Sequence, residues 1–373
     1  MRKSIMIVIL QNKLVEETKN MGEKMKALVS YAPYDYRYED YAKPTAEPGE
    51  IVMKVGGCCI CAGDVKAYHG GIRIWGTSEE NRYIEAPCIG GHEFFGEVVE
   101  IGAGVQGYTL GERIVTEQIL PCNECEFCQK GTYWMCSRSA VFGFKQYANG
   151  GFAEYVKLDK NCINHKIPDD FTAEQACLIE PIACGMHAVE QAQIMHSDVV
   201  VIAGLGAIGT SMINIAALSL PKLLIGIDIR KNRLEMGKKY GADVVLNPME
   251  CDVAEEIKKL TGGLGCDVYI EASGSERSVN QGLDALKNMG RYVQMGVFAD
   301  EVKADWNIIG DGKEISIKGS HLSALTYHSV IKGMQSGTIK TEGLISHSFA
   351  LADWEEAFNK TEEEEAMKVM LIP

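Results

Sequence analysis

The rhythm of hydrophobic and polar positions changes once along the chain. From about residue 25 to 178, short apolar–polar runs sit between glycines: 26–30 (KALVS), Ile51 to Val55, Gly96 to Ile101, Arg113 to Gln118 and Ala153 to Leu158. Segments of this length and period predict strands, so this half reads as an irregular β-rich domain. From 179 to 322, apolar runs near 199–203, 223–228, 243–246, 267–271, 291–296 and 314–318 alternate with helix-like segments. That order predicts an α/β unit, a doubly wound parallel sheet of the Rossmann type. The tail, 323–373, has helical patterns around 326–336 and 352–360 and a last strand from Lys368 to Ile372. It is too short for a domain and is expected to fold back on the first one. Residues 1–24 precede the first strand pattern; their apolar run Ile5 to Leu10 is too short for a signal core, and they read as an extension without assigned function.

The uncharged stretch Val199 to Pro221 has the length of a membrane span. Its grammar of four β-favouring residues, a glycine-rich turn and a small-residue helix instead predicts a buried βαβ unit, and no membrane partner. Over 373 residues, 46% are hydrophobic and 24% charged, an ordinary globular composition. Lys plus Arg total 37 against 51 Asp plus Glu, a net charge of -14, which repels polyanions and excludes nucleic acid as a main partner. Thirteen cysteines, an odd number in a chain this long, fit a reducing, cytoplasmic compartment and direct attention to metals.

Two motifs carry chemistry on their own. Gly204-Leu205-Gly206-Ala207-Ile208-Gly209 is a G-x-G-x-x-G directly after a predicted strand, with Asp228 closing the next one. The glycines allow a tight turn, backbone approach to a pyrophosphate and close helix packing; Asp228 suits a ribose diol, so NAD is favoured over NADP. Arg230, Lys231 and Arg233 keep the phosphorylated cofactor in view, although Arg230 and Lys231 read best as a solvated helix start. In a lobe at 118–137, Cys122, Cys125, Cys128 and Cys136 have the spacing of a closed tetrahedral zinc site. Free thiols and an iron–sulfur cluster are the other readings, and structural zinc is the better one.

A third constellation is dispersed: Cys61 with Asp64, Gly91-His92-Glu93, and Glu180-Pro181 at the domain junction. Each piece alone has a bland reading, and Glu180 before proline has the look of a helix end. With Gly91-His92-Glu93-Phe94-Phe95-Gly96 followed by Gly102 and Val105, the chain from about residue 25 onward resembles the zinc-containing medium-chain alcohol/polyol dehydrogenases. The resemblance implies a GroES-like catalytic domain (25–178 and 323–373), a Rossmann NAD-binding domain (179–322) and both a structural and a catalytic zinc. It makes Cys61 and His92 ligands of the catalytic zinc. Glu93 and Glu180 become the acidic positions that bind it directly or through water, and Asp64 the carboxylate orienting the histidine. Arg233, Gly296, Val297 and Lys368 fall to the cofactor, Lys368 on its phosphates. The acidic Glu180 leans the match toward sorbitol and other polyol dehydrogenases. The blocks Tyr68-His69-Gly70 with Trp75, 117–136, 180–194, 290–298 and Gly319-Ser320-His321-Leu322 are similar to erythritol/L-threitol dehydrogenases.

What the resemblance implies is oxidation of a secondary hydroxyl of a small polyol to a ketone, with hydride transfer to NAD, in a homodimer or homotetramer paired through the cofactor domain. Gly63 and Lys66 replace the hydroxyl and histidine of the usual proton relay, which leaves Glu93, Glu180 or Lys66 to take the proton. Trp75, His69 and His321 are the expected substrate contacts, with loop packing the alternative for Trp75 and a surface position for His69. Cys58 and Cys59 are read as buried thiols. The rival readings are a dehydrogenase of another alcohol (a larger sugar alcohol, L-threonine or a simple alcohol) and a zinc-stabilised NAD-binding protein without turnover.

Overall fold

The computed structural model describes residues 23–373; residues 1–22 of the expected extension lie outside the described residues. The second half forms a six-stranded parallel sheet in the spatial order Val244–Leu246, Leu223–Ile227, Val199–Ala203, Cys266–Glu271, Leu286–Gln294, Ser316–Gly319. In chain order this is 3-2-1-4-5-6, the doubly wound arrangement that opens a crevice beside the first strand. Val199–Ala203 is buried along its whole length, as a central strand covered on both faces requires. The uncharged stretch after it is the helix Ala207–Ala217, and among the described residues no helix is long and apolar enough to cross a membrane.

The first half builds a seven-stranded sheet around Ile51–Cys59 and Glu93–Ile101, and a three-stranded sheet around Lys24–Ala32. The tail divides between the two units. Ile345–Ala350 pairs with Lys368–Ile372, which pairs antiparallel with Ile51–Cys59 through Met370 opposite Cys59. The helix Tyr327–Gln335 instead buries Tyr327, Val330, Ile331 and Met334 in the same core cluster as Val200, Ile202 and Ile270 of the parallel sheet.

The helix Ala173–Ala192 corrects the bland reading of Glu180-Pro181, because it runs through the proline and across position 178. Its start is a capping box in which Thr172 Oγ1 accepts from the Gln175 N–H at 3.1 Å and Gln175 Oε1 accepts from the Thr172 N–H at 2.9 Å. Pro181 removes one helical donor, and burial of most side chains around it offsets that loss. Sequence periodicity has no means of showing this, since the compensation comes from both domains at once.

Candidate active site and metal centres

The strand Ile51–Cys59 delivers Cys61 to the N-cap of the helix Ala62–Tyr68, where Asp64 Oδ2 accepts from the Cys61 N–H at 2.9 Å. His92 and Glu93 stand at the head of Glu93–Ile101, the strand paired with Ile51–Cys59. Donor atoms of Cys61, His92 and Glu93 therefore converge, all within 4.8 Å of one another. Gly91 is irreplaceable here: its φ is +87°, and a Cβ would stand 2.6 Å from Phe152 and 2.7 Å from Cys58 Sγ. Cys58 and Cys59 are fully buried, as thiols in a core should be.

A thiol, an imidazole and a carboxylate at this spacing fit a divalent cation, which would balance the negative charge of the two acidic donors. His92 Nδ1 is buried without a hydrogen-bond partner, 3.7 Å from Asp64 Oδ1, which places Asp64 to orient the ring. Burial opposes the charged imidazole, but Asp64 and Cys61 outweigh it and raise the His92 pKa. Glu180 is buried outside the three-donor group, with its Oε1 accepting from the Cys184 thiol at 3.3 Å. Burial, reinforced by the Glu93 charge, pushes its carboxyl up to about 7.

Beside these residues lies a cavity of about 750 Å³ bordered by Cys61, Lys66, Gly204, Gly206, Asp228 and Arg233. Ala207, Ile208 and Gly209 complete its glycine wall. Gly204 has φ +97°, and a Cβ on Gly209 would sit 1.8 Å from the Gly204 carbonyl, so the turn admits only glycine at both positions. Asp228 Oδ2 accepts from the Leu205 N–H at 2.7 Å, Oδ1 accepts from the Arg230 N–H at 2.9 Å, and Arg233 Nη1 stands 3.8 Å away. Arg230 is not freely solvated: its guanidinium donates to the Glu363 carbonyl at 2.8 Å and the Glu362 carbonyl at 3.3 Å.

Several expected roles change. Lys368 borders the cavity, but its ammonium is held by Glu93 at 2.6 and 2.5 Å rather than left free for phosphates. Glu93 is 0% exposed, and a carboxylate so buried without a cation would cost several kcal/mol. Burial disfavours the Lys368 charge, yet the Glu93 carboxylate prevails and raises its pKa. Trp75 is 8% exposed, donates to the Ala67 carbonyl at 2.7 Å and packs with Ile84, Cys88 and Phe144, which favours the loop-packing alternative. His69 faces outward to Tyr34 and Glu362. His321 is exposed, beside His187, whose pKa is lowered by burial and then by His321. Lys66 Nζ donates to the Val297 carbonyl at 2.8 Å, and burial lowers its pKa. Gly296 is pressed against Glu271, whose Oε2 a Cβ would approach to 2.2 Å.

Sequence reasoning missed Glu271, 0% exposed, which accepts from the Ser273 N–H and from Gln294 Nε2 and so shapes the turn behind Gly204. A carboxylate ending an apolar strand was its only signal. It also missed Arg73, which donates to the Phe298 carbonyl at 2.9 Å next to the Lys66 contact.

The four-cysteine lobe assembles as its spacing predicts. Cys122, Cys125, Cys128 and Cys136 place their sulfurs within 4.8 Å of one another, and all thirteen cysteines are free. The Glu124 and Cys125 N–H groups donate to Cys122 Sγ at 3.4 and 3.3 Å and lower its pKa. The N–H groups of Ser137 and Cys128 push Cys125 down to about 5. Burial instead pushes the Cys128 thiol up to about 12, so a bound cation would have to displace that proton.

Comparison with known proteins shows the family. The alcohol dehydrogenase GroES-like domain matches residues 47–169 and the zinc-binding dehydrogenase domain matches 207–336. Erythritol/L-threitol dehydrogenase of Mycolicibacterium smegmatis is 41% identical over 355 residues, covering 94% of this chain and 98% of the relative. Sorbitol dehydrogenase of Halalkalibacterium halodurans is 31% identical, covering 94% and 99%. The crystal structure of a zinc-binding dehydrogenase from Sinorhizobium meliloti 1021 bound to NADP superposes with a TM-score of 0.86 at 26% identity, over 94% of this chain and all of that one. The chain belongs to the zinc-dependent alcohol/polyol dehydrogenase family of oxidoreductases.

Proposed function

We propose that this dehydrogenase oxidises a secondary hydroxyl of a four-carbon polyol of the erythritol/threitol type with NAD. The observation that carries the reaction is the convergence of Cys61, His92 and Glu93 at the edge of the glycine-walled cavity; the relative at 41% identity supports the substrate. Cys61, His92 and Glu93 would hold zinc, whose Lewis acidity would lower the hydroxyl pKa, and the glycine-walled groove would hold NAD as the hydride acceptor. Asp228 selects NAD, because its carboxylate would repel a 2′-phosphate and already holds two backbone N–H groups. Glu93 is paired with Lys368, and Asp64 fixes the His92 ring.

Lys66 is the protein group that takes the hydroxyl proton, since Gly63 offers no hydroxyl. One of its hydrogens serves the Val297 carbonyl even in the neutral amine, leaving the lone pair free. Acceptance needs that neutral form, so turnover rises with pH through a pKa that burial has moved below 10.5.

NAD and NADP reduction by the zinc-loaded protein across erythritol, the threitols, sorbitol, ribitol, threonine and ethanol tests both statements. The highest kcat/KM is expected for a four-carbon polyol with NAD. In parallel, Lys66→Met is expected to lose about 100-fold in kcat and the rising limb of its pH profile. Turnover of threonine or ethanol with every polyol inert would overturn the substrate, and an unchanged Lys66→Met profile would remove Lys66 from the proton path.

The free edge of Ser316–Gly319, a strand that exposes Ile317, is where two cofactor domains would pair into the homodimer or homotetramer. Sedimentation as a single chain at micromolar concentration would refute that pairing.

A further inference from the structure

Around Glu180, a buried polar network uses residues to which the reaction so far gives no part. Gln118 is 0% exposed, and its amide makes hydrogen bonds to three side chains. Its Nε2 donates to Cys184 Sγ at 3.2 Å, while its Oε1 accepts from Ser323 Oγ at 2.9 Å and from the Tyr327 hydroxyl at 3.1 Å. Cys184, one helical turn after Glu180, passes its own proton forward to Glu180 Oε1 at 3.3 Å. The hydrogen bonds from Ser323 and Tyr327 through Gln118 and Cys184 therefore all run in one direction, toward the carboxylate. Such a buried chain resists rearrangement, because moving any member strands the polar atom it serves.

Two further observations show that the network is held from outside. Leu322, Ala324 and Leu325 have φ of 53°, 37° and 24°, a region that residues with a Cβ avoid, and Ser323 and Tyr327 pin this turn to Gln118. The Tyr327 ring stacks on His165 at 5.1 Å and 13°. His165 Nε2 meets Glu117 Oε1 at 3.0 Å, and Glu117 Oε2 accepts from the Tyr133 hydroxyl at 2.8 Å. Tyr133 lies between Cys128 and Cys136, so the anchor of Gln118 reaches the four-thiolate lobe.

We infer that Gln118 and Cys184 are positioning residues for catalysis: through the Cys184 thiol they fix the Glu180 carboxylate beside, and not within, the three-donor metal site. The inference rests on the proposed zinc site and on the expectation that Glu180 is an acidic position that binds that metal directly or through water. Cys184→Ala removes the thiol that Glu180 accepts from and leaves little void. It is expected to lower kcat about 10-fold with KM changed less than about 2-fold. Cys184→Ser, which restores a donor, should recover most of that loss. In cobalt(II)-substituted protein, the difference spectrum of Cys184→Ala against wild type cancels the four-thiolate bands, and the change expected there is the one Glu180→Gln produces. Gln118→Leu should act in the same direction; Cys184→Ala carries the test where that variant fails to fold.

Wild-type kinetics and a flat difference spectrum for Cys184→Ala, with Glu180→Gln altering both, would overturn the inference while leaving the metal site intact. If Glu180→Gln is silent as well, Glu180 does not face the metal, and the inference falls with that reading. Loss of the catalytic cobalt bands in Cys61→Ser is the separate check on the site itself.

Discussion

Replacing Cys61 by serine is expected to reduce alcohol oxidation about 1000-fold and to lower the metal content by one ion per chain, with the fold retained. Cys61 contributes one of three converging donors, and its sulfur is the softest of them. A serine hydroxyl is not ionised at neutral pH, so His92 and Glu93 would be left as two ligands, one of them already shared with Lys368. Three decades of rate are about 4 kcal/mol, the scale of charge stabilisation a bound cation gives a developing alkoxide. The fold should survive because Cys61 caps a helix through its backbone N–H to Asp64, a contact serine preserves, and its side chain belongs to no core cluster. Metal analysis, circular dichroism and NAD reduction on one preparation would decide it. Full metal content, or turnover within tenfold of wild type, would mean that Cys61 is not the ligand.

What was legible in the sequence follows the range of the forces involved. The glycine turn and the four-cysteine lobe are local, because every residue needed lies within six to fifteen positions and the backbone geometry comes with the motif. The catalytic donors are 31 and 32 residues apart, at Cys61, His92 and Glu93, and only a resemblance joined them before strand pairing did. Side chains with two competing uses were read less well. Trp75 has the size for a pocket wall, yet its indole N–H found a carbonyl eight residues back and its rings the loop core. Lys368 has the charge for a phosphate, but the buried Glu93 carboxylate, 275 residues away in sequence, binds it first. Gln118 has no pattern at all: its partners lie 66, 205 and 209 residues away, and a buried glutamine is distinguishable from a surface one only after the chain has folded.

The second large effect is on stability and concerns the lobe at the other end of that network. Cys125→Ser is expected to lower the apparent Tm by about 10 °C and to leave the lobe open to protease, again with one ion fewer per chain. The lobe has almost no core of its own. Between Cys122 and Cys136 it forms one four-residue helical turn, Glu126–Gln129, and a 3-10 turn at Tyr133–Met135, with Phe127 and Met135 exposed. Segments so short do not hold their shape by propensity or burial, so their order depends on the four sulfurs meeting a cation. Losing about 4 kcal/mol of that binding corresponds to about 10 °C for a cooperatively unfolding unit of about 200 residues. Activity should fall along with it, because Tyr133 leaves Glu117 when the lobe opens, and Glu117 adjoins Gln118. Thermal unfolding with limited proteolysis mapped to residues 118–137 would check this. A Tm within about 2 °C of wild type would show that the lobe folds without its metal, and would return the four cysteines to the reading of free thiols.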